Sequence, residues 1–515
     1  METTLEVCPN GCSFSQLAPA LAEAADGDTI NIGPGTYRGG IAIERSVAIK
    51  GAGVGSTIIR GGGPVVTIGV FEAADQPTVT IEGVTITGGL TRSSAASTEG
   101  ADGVEGVIAL GGGVEIPQGA GRTLGATVTI ADSLITGNRV APKATTPTGP
   151  DCPDGPCLFA QAAGGGVDNW GTLTLEDTTV SRNTVGAISG EPSLTSDAQG
   201  GGIMSWLGAL TIVDSTITGN AAIATAPNGR FAEGGGILMP EEGSLTLRDS
   251  SVTDNRARLD AALPSSVDML AQPGGIFVSD AAASVEIVGT RIAGNSSSMT
   301  NTVGDATAFA GGINVWGVDL VMNDSVIAGN HVRAQTLGRS RGDASADGGG
   351  AEMVGTIIDS RFTGNSVSAR SKAGDAIAAI GGLSLDSGTL VRSAVSGNEL
   401  FAFSPEGSVS VFGGGLIVGQ EPLTLKRSKV EGNVANASGL QGYVRGAGIF
   451  DASTLWDIPG ADLTLISSHV VGNIVQGSTG LSVQGGGIYV DGHRLVQRGR
   501  GLLGDNVPDQ CFGCA

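Results

Sequence analysis

The chain has few basic residues, very few histidines and no long hydrophobic run. It contains 28 lysines and arginines against 50 aspartates and glutamates, so its formal net charge is −22, and it has three histidines. Nucleic-acid binding draws on basic patches, so this composition predicts no nucleic-acid partner. Because no stretch is long and apolar enough to span a bilayer, and because anionic membranes should repel the chain, we expect no direct membrane insertion.

Cysteine is also scarce, and its six copies lie in three local pairs. The pairs are Cys8/Cys12, Cys152/Cys157 and Cys511/Cys514. Three pairs so far apart cannot share one tetrahedral metal site, and the histidines are too few to complete several sites. We therefore expect disulfides formed in an oxidising compartment, with metal binding as the alternative. This favours a secreted or cell-surface protein whose signal peptide has been removed.

Glycine is abundant, and its distribution reveals a repeat. The 87 glycines in 515 residues exclude the α-helix as the main element. Eleven glycine runs each open a segment that closes on an asparagine, and successive asparagines are 33 to 45 residues apart. The closing residues are Asn138, Asn183, Asn220, Asn255, Asn295, Asn330, Asn365, Asn398, Asn433, Asn473 and Asn506. A period of this length indicates units that stack on one another to bury a shared core.

Within each unit, the apolar residues alternate as they do in strands. An apolar residue stands three positions before each asparagine, and pairs such as Val128/Ile130 stand ten and eight positions before it. This alternation predicts strands with one buried face. We expect three short strands per unit, paired in parallel with those of the next unit. The predicted fold is therefore all-β, a single-stranded right-handed parallel β-helix, in which the asparagine amides can stack in a ladder.

The N-terminal segment carries a family resemblance. Gln16–Ala25 has helical spacing, and Gly27-Asp28-Thr29-Ile30 leads through Pro34-Gly35-Thr36-Tyr37 into further strand patterns. This order resembles the N-terminal region of the pectate-lyase-like superfamily, which implies a capping helix followed by a parallel β-helix. From it we predict a cap over residues 1–27 and a β-helix over 28–515. About 14 coils are expected, eleven of them with the repeat, and the intervals between asparagine and the next glycines are expected to be loops at one corner.

The repeats themselves are similar to those of polymorphic outer-membrane (autotransporter passenger) proteins. Units of those proteins carry Gly-Gly-Ala-Ile and Phe-x-x-Asn, and here Phe362-Thr363-Gly364-Asn365 keeps the phenylalanine. The segment Asn506-Val507-Pro508-Asp509-Gln510-Cys511 also resembles the ending of unclassified bacterial secreted β-helix proteins. Both resemblances imply a bacterial protein outside the cytoplasm.

A column of aspartates precedes the asparagines by six positions. It includes Asp132, Asp177, Asp214 and Asp249 in consecutive units. If these carboxylates stack about 5 Å apart, they can attract a cation such as calcium. The alternative, which we favour, is that each Asp-Ser or Asp-Thr pair caps its own turn through a backbone hydrogen bond.

Three tryptophans share another position of the repeat. Trp170, Trp206 and Trp316 fall 13 or 14 residues before their asparagines. Exposed rings on neighbouring coils could form a strip on which sugars stack. The competing interpretation is a set of rings that covers an apolar corner of the coil.

No catalytic constellation stands out. Pectate-lyase-like enzymes place acidic residues and a basic residue on one sheet, often with calcium, and no such motif is evident. Glu115, Asp168 and Glu352 follow glycine runs and are interpreted as isolated carboxylates, and no His-Asp or Ser-His pair recurs across units. The sequence therefore favours a secreted or cell-surface bacterial β-helix rod, non-catalytic, that presents loops for adhesion or surface assembly.

The expected partners of such a rod are a carbohydrate or a host or surface protein, and no cofactor is expected except possible calcium. The alternative function is that of a polysaccharide lyase or glycoside hydrolase acting on a strand face.

Overall fold

The structure is a computed structural model that describes residues 3–92, 107–144, 159–189, 195–225, 229–264, 269–279, 282–338, 341–419, 421–451, 462–491 and 494–514. The chain divides into two compact units, the first reaching Ala257 and the second beginning at Arg258, with the short piece 281–283 belonging to the first. Both units consist almost entirely of parallel β-strands that lie in three sheets. We describe each unit by itself.

The first unit contains a short helix and strands of all three sheets. The helix is Leu17–Glu23. The first sheet contains Thr4–Val7, Thr29–Ile32, Ile41–Ile43, Ala48–Gly51, Val66–Ile68, Thr78–Glu82, Val114–Ile116, Thr127–Ala131, Val167–Asn169, Thr172–Glu176, Ile203–Ser205, Ala209–Val213, Ile237–Met239 and Ser244–Arg248. The second sheet contains Gly35–Arg38, Thr57–Arg60, Thr85–Thr87, Leu134–Thr136, Thr179–Ser181, Thr216–Thr218 and Ser251–Thr253. The third sheet contains Leu90–Thr91, Val107–Leu110, Arg139–Val140, Lys143–Ala144, Phe159–Ala163, Thr184–Ser189, Thr195–Gln199, Ala221–Thr225, Gly229–Glu233 and Arg256–Ala261, the last of which contains the boundary between the units.

The second unit repeats this arrangement with some longer strands. Its first sheet contains Ile276–Val278, Ser284–Val288, Ile313–Asn323, Ala351–Ile358, Leu383–Val391, Leu416–Val418, Leu423–Lys426, Ile449–Asp451, Leu463–Ile466, Ile488–Tyr489, Leu495–Arg498 and Cys511–Phe512. Its second sheet contains Arg291–Ala293, Val326–Ala328, Arg361–Thr363, Ala394–Ser396, Lys429–Glu431, His469–Val471 and Leu502–Gly504. Its third sheet contains Leu270–Gln272, Ser296–Asn301, Ala306–Phe309, His331–Thr336, Ala344–Asp347, Ser366–Arg370, Ala376–Ala379, Glu399–Phe412, Val434–Arg445, Ile474–Gly477 and Ser482–Gln484.

The strand registers confirm the parallel β-helix. Thr127–Ala131 pairs in parallel with Thr172–Glu176, which places Val128 beside Leu173 and Ile130 beside Leu175. The partner strand lies about one repeat later in the chain, so the backbone returns to the same sheet after each complete turn. A parallel sheet can therefore form without helical crossovers.

The predicted apolar positions form the core of each unit. In the first unit, the residues three before the asparagines lie in register and are fully buried, as in Ile135, Val180 and Ile217. In the second unit, the same position runs through Ile327 and Phe362, which are also fully buried. Burial of a large aliphatic side chain contributes about 1.5–3 kcal/mol, so this column is a main source of stability in each unit.

The intervals between each asparagine and the next glycine run differ from the expectation of loops. Ala221–Thr225 and Gly229–Glu233 fill much of one such interval and pair with neighbouring coils in the third sheet. Ala222 and Ala224 are fully buried, and they alternate with more exposed residues. Small alanines give a weaker hydrophobic signal than Val, Ile or Leu, which explains why strands at these positions were not predicted.

The N-terminal helix covers the start of the first unit. Leu17 and Ala20 are buried, and the helix contacts the strands Thr4–Val7, Thr29–Ile32 and Ile41–Ile43. Cys8 and Cys12 form a disulfide close by. Among the described residues, no helix combines the length and apolarity needed to cross a bilayer.

The asparagines form buried side-chain ladders inside each unit. In the first unit, the backbone N–H and the Nδ2 of Asn138 both donate to Oδ1 of Asn183, at 3.0 Å each, and Asn183 donates to Asn220 in the same way. Each amide also donates to the carbonyl of the buried residue that stands three positions before the previous asparagine, as Asn183 Nδ2 does to Ile135 at 3.0 Å. In the second unit, Asn365 donates likewise to Asn398. Every polar group of the amide is thereby satisfied in the interior.

A parallel ladder of hydroxyl groups follows the aspartate column. The backbone N–H of Ser133 donates to the hydroxyl of Thr178 at 3.3 Å, and that of Thr178 donates to Ser215 at 3.0 Å. Each hydroxyl donates to the carbonyl two residues earlier in its own turn, as Ser215 does to Val213 at 2.7 Å. The Ser or Thr side chain therefore caps the turn, and the preceding aspartate adopts the left-handed backbone conformation that the turn requires.

Candidate functional site

The aspartates of the column occupy exposed turn positions. Asp132, Asp177, Asp214 and Asp249 have φ between 45° and 50°, a region that aspartate tolerates better than most residues. Their side chains are exposed. Within the described ranges, no group of three or more Asp, Glu, His or Cys side chains is arranged to hold a metal ion.

Two of the cysteine pairs lie in the described part of the chain. Cys8 is bonded to Cys12, and Cys511 is bonded to Cys514. The third predicted pair, Cys152 and Cys157, lies outside the described residues.

Several buried or half-buried carboxylates lie at one position of the repeat, on the side of the first sheet that faces away from the core. In the coils that carry the repeat, each position lies two residues after the last glycine of the run, between two residues that point into the core. In the first unit, Thr67 lies beside Glu115, and Glu115 lies beside Asp168. In the second unit, Asn314 lies beside Glu352. Sequence reasoning treated these carboxylates as isolated, although their equal distance from the glycines was a usable signal.

Asp168 is the most enclosed carboxylate of the first unit. Its Oδ1 accepts the indole N–H of Trp206 at 3.0 Å, while Oδ2 is buried without a hydrogen-bond partner. Burial raises the pKa of Asp168 to about 8; the hydrogen bond from Trp206 opposes this shift, and the charge of Glu115 adds to it. Burial also raises the pKa of Glu115 to about 7, against a hydrogen bond donated by Thr67 at 3.4 Å.

Two of the three predicted tryptophans lie next to this carboxylate and stack on each other. The ring centroids of Trp170 and Trp206 are 4.8 Å apart, with 16° between the planes. The guanidinium of Arg122 lies 5.6 Å from the centroid of Trp170 and forms an ion pair with Glu241 at 2.6 Å. Arg122 comes from the coil before Trp170 and Trp206 from the coil after it, so both contact the Trp170 ring, which is half-buried.

The third tryptophan is more open. Trp316 is 44% exposed and makes an edge contact with Phe277, with centroids 5.3 Å apart. Sugar binding by the tryptophans stays a prediction, and of the three rings Trp316 has the surface best suited to it.

The second unit brings three carboxylates together. Asp347 directly precedes a glycine run, Glu352 stands two residues after that run, and Asp386 lies on the next strand of the first sheet. All three are partly exposed. Burial raises the pKa of each, and the charge of Asp386 raises the pKa values of Asp347 and Glu352 further. The cluster therefore retains protons at a pH where ordinary carboxylates are fully ionised.

Hydrogen bonding around these carboxylates is incomplete. Nδ2 of Asn314 donates to Oε2 of Glu352 at 3.3 Å. Oδ1 of Asn314 and Oδ1 of Asp347 are buried without a partner in the structure. Buried polar atoms normally have a partner, so two unpartnered oxygens around one carboxylate cluster are unusual.

Aromatic rings continue the same column beyond the carboxylates. Ser384 lies in register with Ile417, and Phe450 and Tyr489 follow on the next coils. The centroids of Phe450 and Tyr489 are 5.4 Å apart, and those of Tyr489 and Phe512 are 5.2 Å apart. In the second unit this column therefore carries the carboxylate Glu352 near one end and a largely buried stack of rings toward the other.

Comparison with known proteins gives few matches. No family model matches the chain, and no curated protein matches it. A structural comparison finds similarity to the A-module of the mannuronan C-5 epimerase AlgE6 of Azotobacter vinelandii, with 15% sequence identity and a TM-score of 0.29 over 94% of this chain and 93% of that chain. The resemblances to pectate-lyase-like and outer-membrane repeat proteins are not confirmed, and the functional assignment depends on the geometry of the site.

Proposed function

We propose that the outward face of the first sheet in the second unit binds a polysaccharide, and that Asp347, Glu352 and Asp386 supply a general acid and a general base. The observation that supports this is the grouping of three partly exposed carboxylates, one of which, Glu352, accepts a hydrogen bond from the buried Asn314. Outside the cluster, Trp316 offers an open ring on which a sugar can stack.

The chemistry requires two carboxylates in different protonation states. Glycosidic cleavage uses a protonated carboxyl to donate to the leaving oxygen and an ionised one as base or nucleophile. Burial, with the charges of Asp347 and Asp386 in addition, raises the pKa of Glu352 to about 8, so we assign to Glu352 the proton that the cluster holds near neutral pH. Asp386 is then the base. Removal of a sugar ring proton, as in a lyase, uses the same pair of groups.

The test is degradation of acidic and neutral polysaccharides, with and without calcium. Release of reducing ends identifies a hydrolase, and ultraviolet-absorbing unsaturated ends identify a lyase. We expect Glu352→Gln and Asp386→Asn each to lower the rate by about 10²–10⁴, the usual contribution of general acid–base catalysis. Glu115→Gln is the matched control, because it changes the same repeat position in the first unit. Equal losses in Glu115→Gln and Glu352→Gln, or no degradation of any polymer, would refute the proposal.

A non-catalytic rod is the second candidate, and one observation favours it. Asp168 has the same position and a raised pKa, yet it is fully buried, so a raised pKa at this column occurs without access for a substrate. On this view the ladders stiffen a scaffold that presents surface segments for adhesion or assembly. A glycan and surface-protein binding array, in which the wild type and Glu352→Gln bind one ligand equally without degrading it, would support the rod.

For both candidate functions, we propose that the protein is located outside the cytoplasm. The disulfides Cys8–Cys12 and Cys511–Cys514 are typical of oxidising compartments, and the acidic composition suits an exposed surface. The proposed partners are a carbohydrate or a surface protein.

A further inference from the structure

A cationic groove lies on a different face of the second unit. It encloses about 570 Å³ between the turn of the aspartate column and the second sheet. Its lining includes four basic side chains, Arg361, Arg392, Arg427 and Lys429, and three acidic ones, Asp324, Asp359 and Glu431. Basic side chains thus outnumber acidic ones four to three around this groove, whereas the whole chain has 28 basic residues against 50 acidic ones.

The second sheet contributes Arg361, Ala394 and Lys429 to the lining of the groove. Arg361 lies in register with Ala394, and Ala394 lies in register with Lys429. Strands are about 4.8 Å apart, so the two cationic side chains leave the sheet roughly 10 Å from each other. The methyl group of Ala394 leaves the space between them open.

The turn supplies two more cations at positions where aspartate is usual. Arg392 and Arg427 have φ of 47° and 53°, and Asp324 and Asp359 have φ of 47° and 51° on the preceding coils. Aspartate is favoured in this left-handed region and arginine is not. The chain therefore places arginine on two consecutive coils against the backbone preference.

Ion pairing leaves part of this charge available. Arg392 donates to both oxygens of Asp359, at 2.8 and 2.6 Å, which fixes its guanidinium. Within the part of the chain that the structure describes, Arg361 and Arg427 have no carboxylate within 4.0 Å. Two guanidinium groups in the groove thus have no ion-pair partner, and a guanidinium binds carboxylate, sulfate or phosphate oxygens through a fork of N–H groups.

We propose that this groove binds a linear polyanion, a polysaccharide that carries sulfate or carboxylate groups. The argument for a polymer is that the cations recur on three consecutive coils, from Arg361 through Arg392 to Arg427, and so form a row that matches repeated negative charges. Two of the three lining carboxylates are paired within the groove, Asp359 with Arg392 and Glu431 with Lys429 at 4.0 Å, which leaves Asp324 opposite the two unpaired guanidinium groups. Carboxylates elsewhere on the surface repel a bound polyanion weakly, because the Debye length is about 8 Å at physiological ionic strength. The site uses none of the carboxylates proposed for catalysis, so it can be tested separately.

The experiment measures binding of dextran sulfate to the full chain by calorimetry, with neutral dextran and inorganic sulfate as comparison probes. We expect dextran sulfate to bind, neutral dextran not to bind, and the affinity to fall as sodium chloride is raised. Arg427→Asp and Arg361→Gln should each weaken binding at least tenfold. Arg427→Asp is expected to fold, because aspartate occupies the same turn at Asp324 and Asp359; an unchanged circular dichroism spectrum checks this.

The matched control is Arg291→Gln. Arg291 occupies the same register column as Arg361, two coils earlier, and does not line the groove. Unchanged affinity in this variant supports a built site. Three results would overturn the proposal: no binding of dextran sulfate, an equal loss of affinity in Arg291→Gln, or inorganic sulfate binding as tightly as the polymer.

Discussion

The position two residues after a glycine run carries a carboxylate in both units, with different surroundings. In the first unit, Asp168 is fully buried and accepts a hydrogen bond from Trp206, whose ring stacks on Trp170. In the second unit, Glu352 stays partly exposed, and Asp347 and Asp386 stand beside it. Burial raises the pKa in both units, so the raised pKa is a consequence of this repeat position. Access to solvent depends on the neighbouring side chains.

The neighbours differ in a simple way. In the first unit, the residue two positions beyond Asp168 is Trp170, which Trp206 and Arg122 cover. In the second unit, the residue two positions beyond Glu352 is Val354, a smaller side chain. The same backbone therefore gives an enclosed carboxylate where large rings stack, and an accessible cluster where they do not.

The largest effect is expected from removing one asparagine of the buried ladder, and it tests whether the ladder stabilises each unit to the same extent. Asn220→Ala removes four hydrogen bonds: two that Asn183 donates to it, and two that it donates to Val180 and Asn255. The partners remain buried without replacement, so we expect a loss of about 3–6 kcal/mol in the free energy of unfolding. Asn398→Ala in the second unit removes an equivalent set of bonds and should cost a similar amount.

Urea denaturation of both variants measures these losses, with the exposed-turn variant Asp132→Asn as a control near zero. A loss below about 1 kcal/mol in either unit would show that the ladder there is replaceable by water, since an unsatisfied buried group costs about that much.

The second prediction concerns pH and separates the enclosed carboxylate from the accessible cluster. The pKa of Asp168 is about 8 when folded, against about 3.9 in an unfolded chain, so the folded state holds the proton more tightly. The stabilisation that protonated Asp168 gives the folded state is complete below pH 4, and it is lost as pH rises toward 8. Between pH 5 and 8 we expect the free energy of unfolding to fall by up to about 4 kcal/mol, at 1.36 kcal/mol per pH unit.

Melting temperatures across this pH range provide the measurement. Asp168→Asn should flatten the profile while keeping an acceptor for Trp206, whereas Glu352→Gln should flatten it less, because that carboxyl is partly solvated. Stability that rises from pH 5 to 8 in the wild type and falls in Asp168→Asn would contradict the sign of the argument.

The smallest effect is expected at the surface ion pairs. Arg122 pairs with Glu241 in the first unit and Arg392 with Asp359 in the second, both at 2.6 Å, and both arginine side chains are at least half exposed. Such pairs contribute about 0–1 kcal/mol, so Arg122→Ala and Arg392→Ala should change the urea midpoint only slightly. A larger loss in Arg122→Ala alone would mean that its contact with Trp170 matters more than its charge.

Part of the candidate site could have been predicted from the sequence. The glycine spacing places Glu115, Asp168 and Glu352 at one repeat position, since each stands two residues after its run. The grouping of Asp347 with Asp386 could not be inferred in the same way, because Asp347 ends a strand of the third sheet and Asp386 lies in a strand of the first sheet on the next coil. The partners of Trp206 and Arg122 depend on side-chain packing between coils, which a linear pattern does not contain.

The fold was more predictable than the site. The glycine runs, the alternating Val, Ile and Leu residues and the closing asparagines determined a parallel β-helix by themselves, because each feature repeats and only stacking of the repeats can bury the apolar faces. Tertiary structure alone decided that the alanine-rich intervals form strands, that Asp168 is sealed, and that Arg361 and Arg427 share a groove. Burial and proximity arise between coils, and they depend on what every neighbouring side chain leaves uncovered.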